Sequence, residues 1–343
     1  MDKPRTQREL AERYRLSEHS VSVALNDRPG VSDSTRARIK RLAEEAGIAP
    51  RGGRRKLAIG VCVPDLTGVN YAEWANMIIH YAERHGYAVV VQATYDSEPE
   101  EERAANTFKK LNVEGVILTS SRLSPSFMAI MNSEGVPVVS LRTRVDGPLS
   151  ADDNVTPDNP QIDLDHFSGA YEAASYLVNE CGHEIVACIR GPATSVSAQA
   201  KFEGVRAALG DRLSPRYVIS AQTYDYQAGY DRMAELWGWP AKPTALLCYN
   251  DELALGALRY CYDNGISVPG HLDIVGYDDI RPARFAYPAL STVRVPRDGL
   301  ARLAVDIIHL QTYLGRTTPY RLEEQPHLVL RGSVGMPARA RAR

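Results

Sequence analysis

The sequence predicts a small all-helical head joined to a large α/β body built from two successive parallel sheets. Three observations predict it. Charge is divided unevenly along the 343 residues: fourteen Lys and Arg stand against eight Asp and Glu in residues 1–56, and 26 against 34 in the rest. A chain of formal charge −2 is therefore a basic piece followed by an acidic one. Residues 6–46 carry short apolar stripes at helical spacing, with capping residues ahead of them. From Leu57 onward, short apolar runs alternate with helical periods, the pattern of βα units whose parallel strands are covered by helices on both faces.

Composition removes several classes. A hydrophobic fraction of 44% permits real cores, yet no apolar run approaches the ~18–20 residues needed to cross a bilayer. Met1-Asp2-Lys3-Pro4-Arg5 leads into charged sequence where an exported chain would carry an apolar signal core. A cytoplasmic protein without membrane contact is expected. Cys62, Cys181, Cys188, Cys248 and Cys261 form an odd set without a CxxC pair. Four of them lie in apolar stretches, so reduced, buried thiols are expected, with no disulfide and no metal site. No P-loop, GxSxG elbow, HExxH helix or GxGxxG turn is present. Neither a cofactor nor an enzymatic role is expected.

In the head, Thr6-Gln7-Arg8-Glu9 opens the first helix with a capping-box pattern, and Leu10, Ala11 and Tyr14 form its apolar stripe. Ser17 is a natural N-cap for a second helix over 18–26, on which Val21, Ala24 and Leu25 face inward. Opposite them lie Glu18, His19, Ser22, Val23 and Asn26. Asp27-Arg28-Pro29-Gly30 is turn chemistry. Ser32-Asp33-Ser34-Thr35 then begins a third helix with Arg36, Arg38, Lys40 and Arg41 outward and Ile39, Leu42, Ala43 and Ala46 apolar. A helix-turn-helix needs such a slim polar face to enter a major groove about 12 Å wide. A charged three-helix bundle that only solvates itself would share these signals.

In the body, candidate strands fall at 57–63, 87–93, 115–119, 137–141, 185–189, 217–220, 245–249 and 273–276. Helical stretches fall near 71–85, 98–111, 124–132, 168–181, 195–209, 227–237, 251–264 and 297–313. Ligands in open α/β sheets bind beyond the carboxyl ends of strands, and Asn250 and Asp278 follow two of these runs directly.

Leu16-Ser17-Glu18-His19-Ser20-Val21-Ser22-Val23-Ala24-Leu25-Asn26, followed by Pro29-Gly30-Val31-Ser32 and Thr35-Arg36-Ala37-Arg38-Ile39, resembles the DNA-binding head of the lactose/galactose-repressor (LacI/GalR) family. The body resembles the same family through Pro64-Asp65-Leu66 with Ala72-Glu73, Gly182-His183, Asn250-Asp251-Glu252-Leu253-Ala254-Leu255-Gly256-Ala257, Val268-Pro269, Asp273-Ile274-Val275-Gly276-Tyr277-Asp278-Asp279 and Leu290-Ser291-Thr292-Val293, all in family order.

The resemblance implies a helix-turn-helix domain over 1–50, a shortened basic linker over 51–58 and a two-lobed body over 59–333 with the fold of periplasmic sugar-binding proteins. One lobe is expected near 57–160 with 292–319, the other near 161–291 with 320–333, and a disordered basic tail over 334–343. It implies that Glu18 and His19 read bases and that Ser17, Ser20 and Ser22 hold phosphates or bases, with Thr6, Asn26 and Arg28 completing the DNA face. Val23 stands where the family usually has Arg and offers only apolar contact, for example to a thymine methyl. Relatives fold a hinge helix on DNA between head and body. Here Arg51-Gly52-Gly53-Arg54-Arg55-Lys56-Leu57-Ala58 spans only ~26–29 Å when extended, and its glycines disfavour helix by about 1 kcal/mol each. Arg51, Arg54 and Arg55 are expected to track phosphates instead, with weaker DNA bending.

In the body the resemblance implies an effector site of Asp65, Tyr71, Arg142, Lys201, Tyr224, Asn250, Asp278 and Arg297, with both tyrosines stacking on a ligand ring. Lys201 replaces an Arg, Arg142 stands where relatives often have Asp, and Arg297 where some have an aromatic. Three positive charges in one cleft would suit an anionic or sugar-acid effector. If Arg142 or Arg297 turns to solvent or pairs with Asp65 or Asp278, a neutral sugar fits instead. The implied protein is a homodimeric repressor of a carbohydrate or related operon that binds a near-palindromic double-stranded DNA and is controlled by a carbohydrate-like effector. A cytoplasmic sugar-binding protein without DNA binding is the alternative.

Overall fold

The computed structural model describes residues 4, 6–25, 30–48, 57–119, 124–143, 160–314 and 321–335. The head holds α1 (Gln7–Tyr14), α2 (Glu18–Leu25) and α3 (Asp33–Ala46). The predicted caps form: Thr6 Oγ1 accepts from the Glu9 N–H at 3.1 Å and Ser32 Oγ from that of Thr35 at 3.2 Å. Leu10, Ala11, Val21, Ala24, Leu25, Ile39, Ala43 and Ile48 close a core of their own.

The body follows as β1 (Leu57–Val63), α4 (Val69–Arg84), β2 (Tyr87–Ala93), α5 (Glu98–Leu111), β3 (Val116–Leu118), α6 (Pro125–Ser133), β4 (Val138–Thr143) and β5 (Gln161–Leu164). The chain then enters α7 (His166–Ser175), β6 (Val186–Arg190), α8 (Val196–Leu209), β7 (Val218–Ser220), α9 (Tyr226–Gly238), β8 (Ala245–Cys248), α10 (Asp251–Asp263), β9 (Asp273–Asp278), α11 (Arg281–Phe285) and β10 (Ser291–Arg294). It ends with α12 (Arg297–Leu314), β11 (Arg321–Glu324) and β12 (His327–Val329). Two six-stranded sheets result, ordered β11-β5-β4-β3-β1-β2 and β12-β10-β9-β8-β6-β7. Every neighbouring pair is parallel except β10 with β12. Burial on both faces explains why central strands read as unbroken apolar runs; β8 and β9 are buried at every residue.

Sheet membership differs from the expected division of lobes. β5 and β11 pair within the first sheet, and β10 within the second. These segments are polar and short, so no apolar run marks them, and β5 and β10 keep their ladders until the chain turns into the next helix. Asp165 makes that turn after β5, its carboxylate accepting from the Ser168 N–H at 3.0 Å. The expected tail also begins later than 334: Val334 is buried and the Gly335 N–H bonds Asp273 at 3.1 Å. The helix expected over 168–181 starts at His166 and ends in a π turn, Tyr176–Glu180.

In each sheet the strand order reverses direction once, between β1 and β3 and between β6 and β8. Such a reversal splays the two flanking connections apart and leaves a crevice at the carboxyl ends of the strands. The crevices are lined by the segments following β1, β6, β8 and β9, which carry the cleft residues.

Candidate functional site

On the head, Ser17 Oγ caps α2 by accepting from the Ser20 N–H at 2.9 Å, and the two hydroxyls lie 2.7 Å apart. Glu18 and His19 are exposed at the start of the helix, and Ser22 is half-buried. Val23 does not stand on this face: it is 3% exposed. Its carbonyl accepts from Arg36 at 3.3 Å, and its side chain faces Gly30. The expected thymine contact by Val23 is thus corrected: the chain returning toward α3 covers it. Asn26, Arg28, Arg51, Arg54 and Arg55 lie outside the described residues.

In the body, residues from both sheets meet at the crevice. Asp65 organises the loop after β1, its Oδ1 accepting from the Thr67 N–H, the Thr67 hydroxyl and the Gly68 N–H, each at 2.8 Å. Tyr71 on α4 lies close enough to Asp96, Tyr224, Asp278 and Asp65 for their charges to act on it. Burial is the larger effect, and together they push its phenol well above the ordinary value. Tyr224 donates to Ser195 Oγ at 3.0 Å. Its ring occupies the space a side chain at position 191 would fill, a Cβ there lying 1.9 Å from Tyr224 Cζ, so Gly191 is required for this packing. Asn250 is spent largely within its own unit, capping α10 through Leu253 N–H at 2.8 Å and donating to the Tyr224 carbonyl at 3.0 Å.

Asp278 is the distinctive group. It is 7% exposed, and its backbone holds φ at 104°, a costly conformation for a side-chain-bearing residue that recurs at functional sites. Among the described residues its carboxylate makes no hydrogen bond or ion pair. Burial pushes its pKa up, while Lys201 and Arg297 pull the other way. Lys201 is 4% exposed, spends one donor on the Tyr249 carbonyl at 2.7 Å and lies 3.8 Å over the Tyr277 ring. Burial lowers its pKa against the attraction of Asp278 and Asp251. A buried acceptor beside a donor with spare N–H groups is the arrangement that satisfies a hydroxyl, which both donates and accepts.

Of the three candidate charges, two can be placed. Arg297 is engaged, donating to Asn70 Oδ1 at 2.6 Å and the Asp279 carbonyl at 2.9 Å, and pairing with Glu73 at 2.8 Å. Lys201 is faced by Asp278, and the side chain of Arg142 lies outside the described residues. Among the described side chains around the crevice, Asp65, Glu73, Glu252 and Asp278 outnumber Lys201 and Arg297.

Sequence reasoning missed the groups that hold the two units together. Glu73 on α4 accepts from the Arg281 N–H of α11 at 2.8 Å, and the Val69 N–H at the start of α4 donates to Glu252 of α10 at 3.4 Å. Asp279, beside Asp278, gathers Arg284 at 3.2 Å, Arg294 at 2.6 Å and Arg331 at 2.6 Å. The doubled Asp278-Asp279 was the only sequence signal. Among the described residues, the one donor group close enough to share a metal ion lies elsewhere, at the far end of the second sheet.

Burial raises the Glu252 carboxyl from 4.5 to about 7, with Asp278, Asp65 and Asp225 adding to it and the Val69 N–H opposing. A raised carboxyl binds its proton better in the folded state. Its stabilising contribution is complete below the unfolded value and is lost as pH rises through about 7. Glu252→Gln is therefore expected to flatten the decline in unfolding midpoint between pH 4.5 and about 7; an unchanged decline would assign it to other groups.

Comparison with known proteins bears on this geometry. A periplasmic binding protein-like domain matches residues 174–334. The ribose operon repressor of Escherichia coli K12 is 28% identical over 338 residues, 96% of this chain and 99% of that protein. The lac repressor dimer bound to operator and the anti-inducer ONPF superposes with a TM-score of 0.69 at 25% identity, covering 96% of this chain and 99% of that one. The match takes in head and body together. The likeness is to regulators of the LacI/GalR type. The transcriptional regulator CelR in complex with cellobiose gives the same TM-score of 0.69 at 25% identity over 96% of this chain and 100% of its own. The likeness spans the three-helix head and the two-sheet body alike and takes in nearly the whole length of each of these relatives.

Proposed function

We propose that this LacI-family chain is a dimeric transcriptional repressor whose grip on a near-palindromic operator is set by a neutral, sugar-like effector held in the crevice by Asp278, Lys201, Tyr71 and Tyr224. The observation that carries this reading is the Asp278 carboxylate, buried, held at positive φ and without a hydrogen-bond or ion-pair partner among the described residues, close enough to Lys201 for their charges to interact. Hydroxyls of a polyol would complete both groups, and such a site rejects analogues that lack the hydroxyl. The ribose and cellobiose in the names of relatives fit that chemistry. Binding, not turnover, is the role we assign to the crevice, and the cytoplasm is where a DNA-reading protein would work.

On the head we assign base reading to Glu18 and His19 and phosphate or base contacts to Ser17, Ser20 and Ser22. A dimer presents two recognition helices, so a palindrome supplies both half-sites. The test is operator selection from genomic fragments, followed by fluorescence anisotropy with and without a panel of neutral, acidic and phosphorylated sugars. A neutral sugar is expected to change operator affinity, a coupling typically of about 5–150-fold. An effect confined to phosphorylated or acidic ligands would reject the neutral assignment. Glu18→Ala and His19→Ala are each expected to weaken operator binding roughly 5–100-fold while leaving the sugar-induced thermal shift intact. Equal affinity in both variants would move base reading elsewhere.

A further inference from the structure

We infer that Cys181, His183 and Asp273 form a binding site for one zinc ion at the end of the second sheet remote from the crevice. The three side chains come from the turn before β6 and from the first residue of β9. Their donor atoms, a thiol, an imidazole nitrogen and a carboxylate oxygen, all lie within 4.8 Å of one another. Tetrahedral zinc with ordinary sulfur, nitrogen and oxygen bond lengths places its ligands about 3.4–3.6 Å apart, so small side-chain movements complete the set.

Four features make this more than a chance cluster. Cys181 and Asp273 are buried, at 9% and 3% exposure, yet Asp273 has no Lys or Arg partner among the described residues. It has only His183 at 2.9 Å and the Gly335 N–H, both on Oδ2, which leaves Oδ1 open. The second ring nitrogen of His183, Nδ1, meets Thr244 Oγ1 at 3.0 Å, the outer hydrogen bond that orients a metal-bound imidazole. The Tyr176 hydroxyl lies close enough to the Cys181 sulfur to interact with it, a group able to donate to a thiolate. Finally, Cys188, Cys248, Cys261 and Cys62 lie in the apolar cores of the sheets, where burial raises their thiols well above the ordinary range. Among the cysteines, Cys181 alone belongs to a group of convergent metal donors.

The charge balances. Binding expels the thiol proton to solvent, and the imidazole proton resides on Nδ1, where Thr244 Oγ1 accepts it. Zinc brings two positive charges and the expelled proton removes one, so the site passes from −1, on the carboxylate, to neutral, and a water fills the fourth position. The ion ties the turn before β6 to β9 and, through Gly335, to the last described residues. β9 is six residues long, about 20 Å, so the site is separate from the crevice and independent of the effector. The spacing of the cysteines gave no sign of it, because Cys181 and His183 meet Asp273 only through the pairing of β6, β8 and β9.

The test uses tag-free, full-length protein stripped with chelator and dialysed. Zinc addition is expected to leave about one bound ion per chain by elemental analysis and to raise the unfolding midpoint. Cobalt is expected to give the near-ultraviolet band of a thiolate–metal bond. Cys181→Ser, which preserves volume, is expected to abolish that band and to weaken zinc roughly 100-fold, and Thr244→Val to weaken it about 10–100-fold, both with a cooperative unfolding transition retained. Zinc retention equal to wild type in Cys181→Ser, or no retained zinc and no cobalt–thiolate band in the wild type, would overturn the site.

Discussion

An Asp278→Asn variant is expected to bind the effector about 100-fold more weakly, with its operator affinity intact and no longer responsive to sugar. Hydrogen bonds to a charged group contribute about 1.5–3 kcal/mol each, and a carboxylate accepting two hydroxyls loses charge at both when it becomes an amide. The amide also leaves Lys201 buried at 4% exposure without its compensating charge. Isothermal titration with the sugar found in the screen measures the loss, and anisotropy on operator DNA measures the retained function. Full sugar affinity in this variant would remove Asp278 from the site. Loss of DNA binding as well would show that the substitution perturbs the fold.

An Asp279→Ala variant is expected to lose about 3–5 kcal/mol of stability. Its carboxylate accepts Arg294 and Arg331 at 2.6 Å and Arg284 at 3.2 Å, and its side chain is 1% exposed. Removing it leaves three guanidinium groups facing one another around a buried vacancy. Arg331, itself mostly buried, has the least access to water to compensate. Burial alone would raise the Asp279 carboxyl, but Arg294 and Arg331 hold it below the ordinary range. The sign follows: a lowered carboxyl contributes stability that is present above the unfolded value of 3.8 and is lost as pH falls through the folded one. Denaturant unfolding at neutral pH checks the first expectation. A variant within 1 kcal/mol of wild type, roughly what an exposed ion pair contributes, would show that the three arginines are solvated independently.

Much of the site was legible because it follows from local rules. Asp278 ends β9 and Asn250 lies two residues beyond β8, and strand ends are where open parallel sheets bind ligands. Thr6, Ser17 and Ser32 were recognisable as caps because a cap is a contact across three residues. Arg297 shows the limit. Its charge is visible in sequence, but its partner Asn70 is 227 residues distant, and only packing of α12 on α4 brings the two together. Val23 shows the same limit at short range, since its place on α2 suggested exposure and the chain near Gly30 covers it.

The sequence by itself determined the basic head and acidic body, the three capped helices, the alternation of strand and helix, and the residues at the strand ends. All of these depend on periodicity, capping and charge, which act between residues close in the chain. Only the tertiary structure decided that Asp278 stands without a partner among the described residues while Asp279 holds three arginines. It also decided that Arg297 is neutralised by Glu73, that Glu252 reaches α4, and that Cys181, His183 and Asp273 converge. Each of these turns on whether a charged group meets another when both leave water, and that is settled by which distant segments the sheets bring side by side.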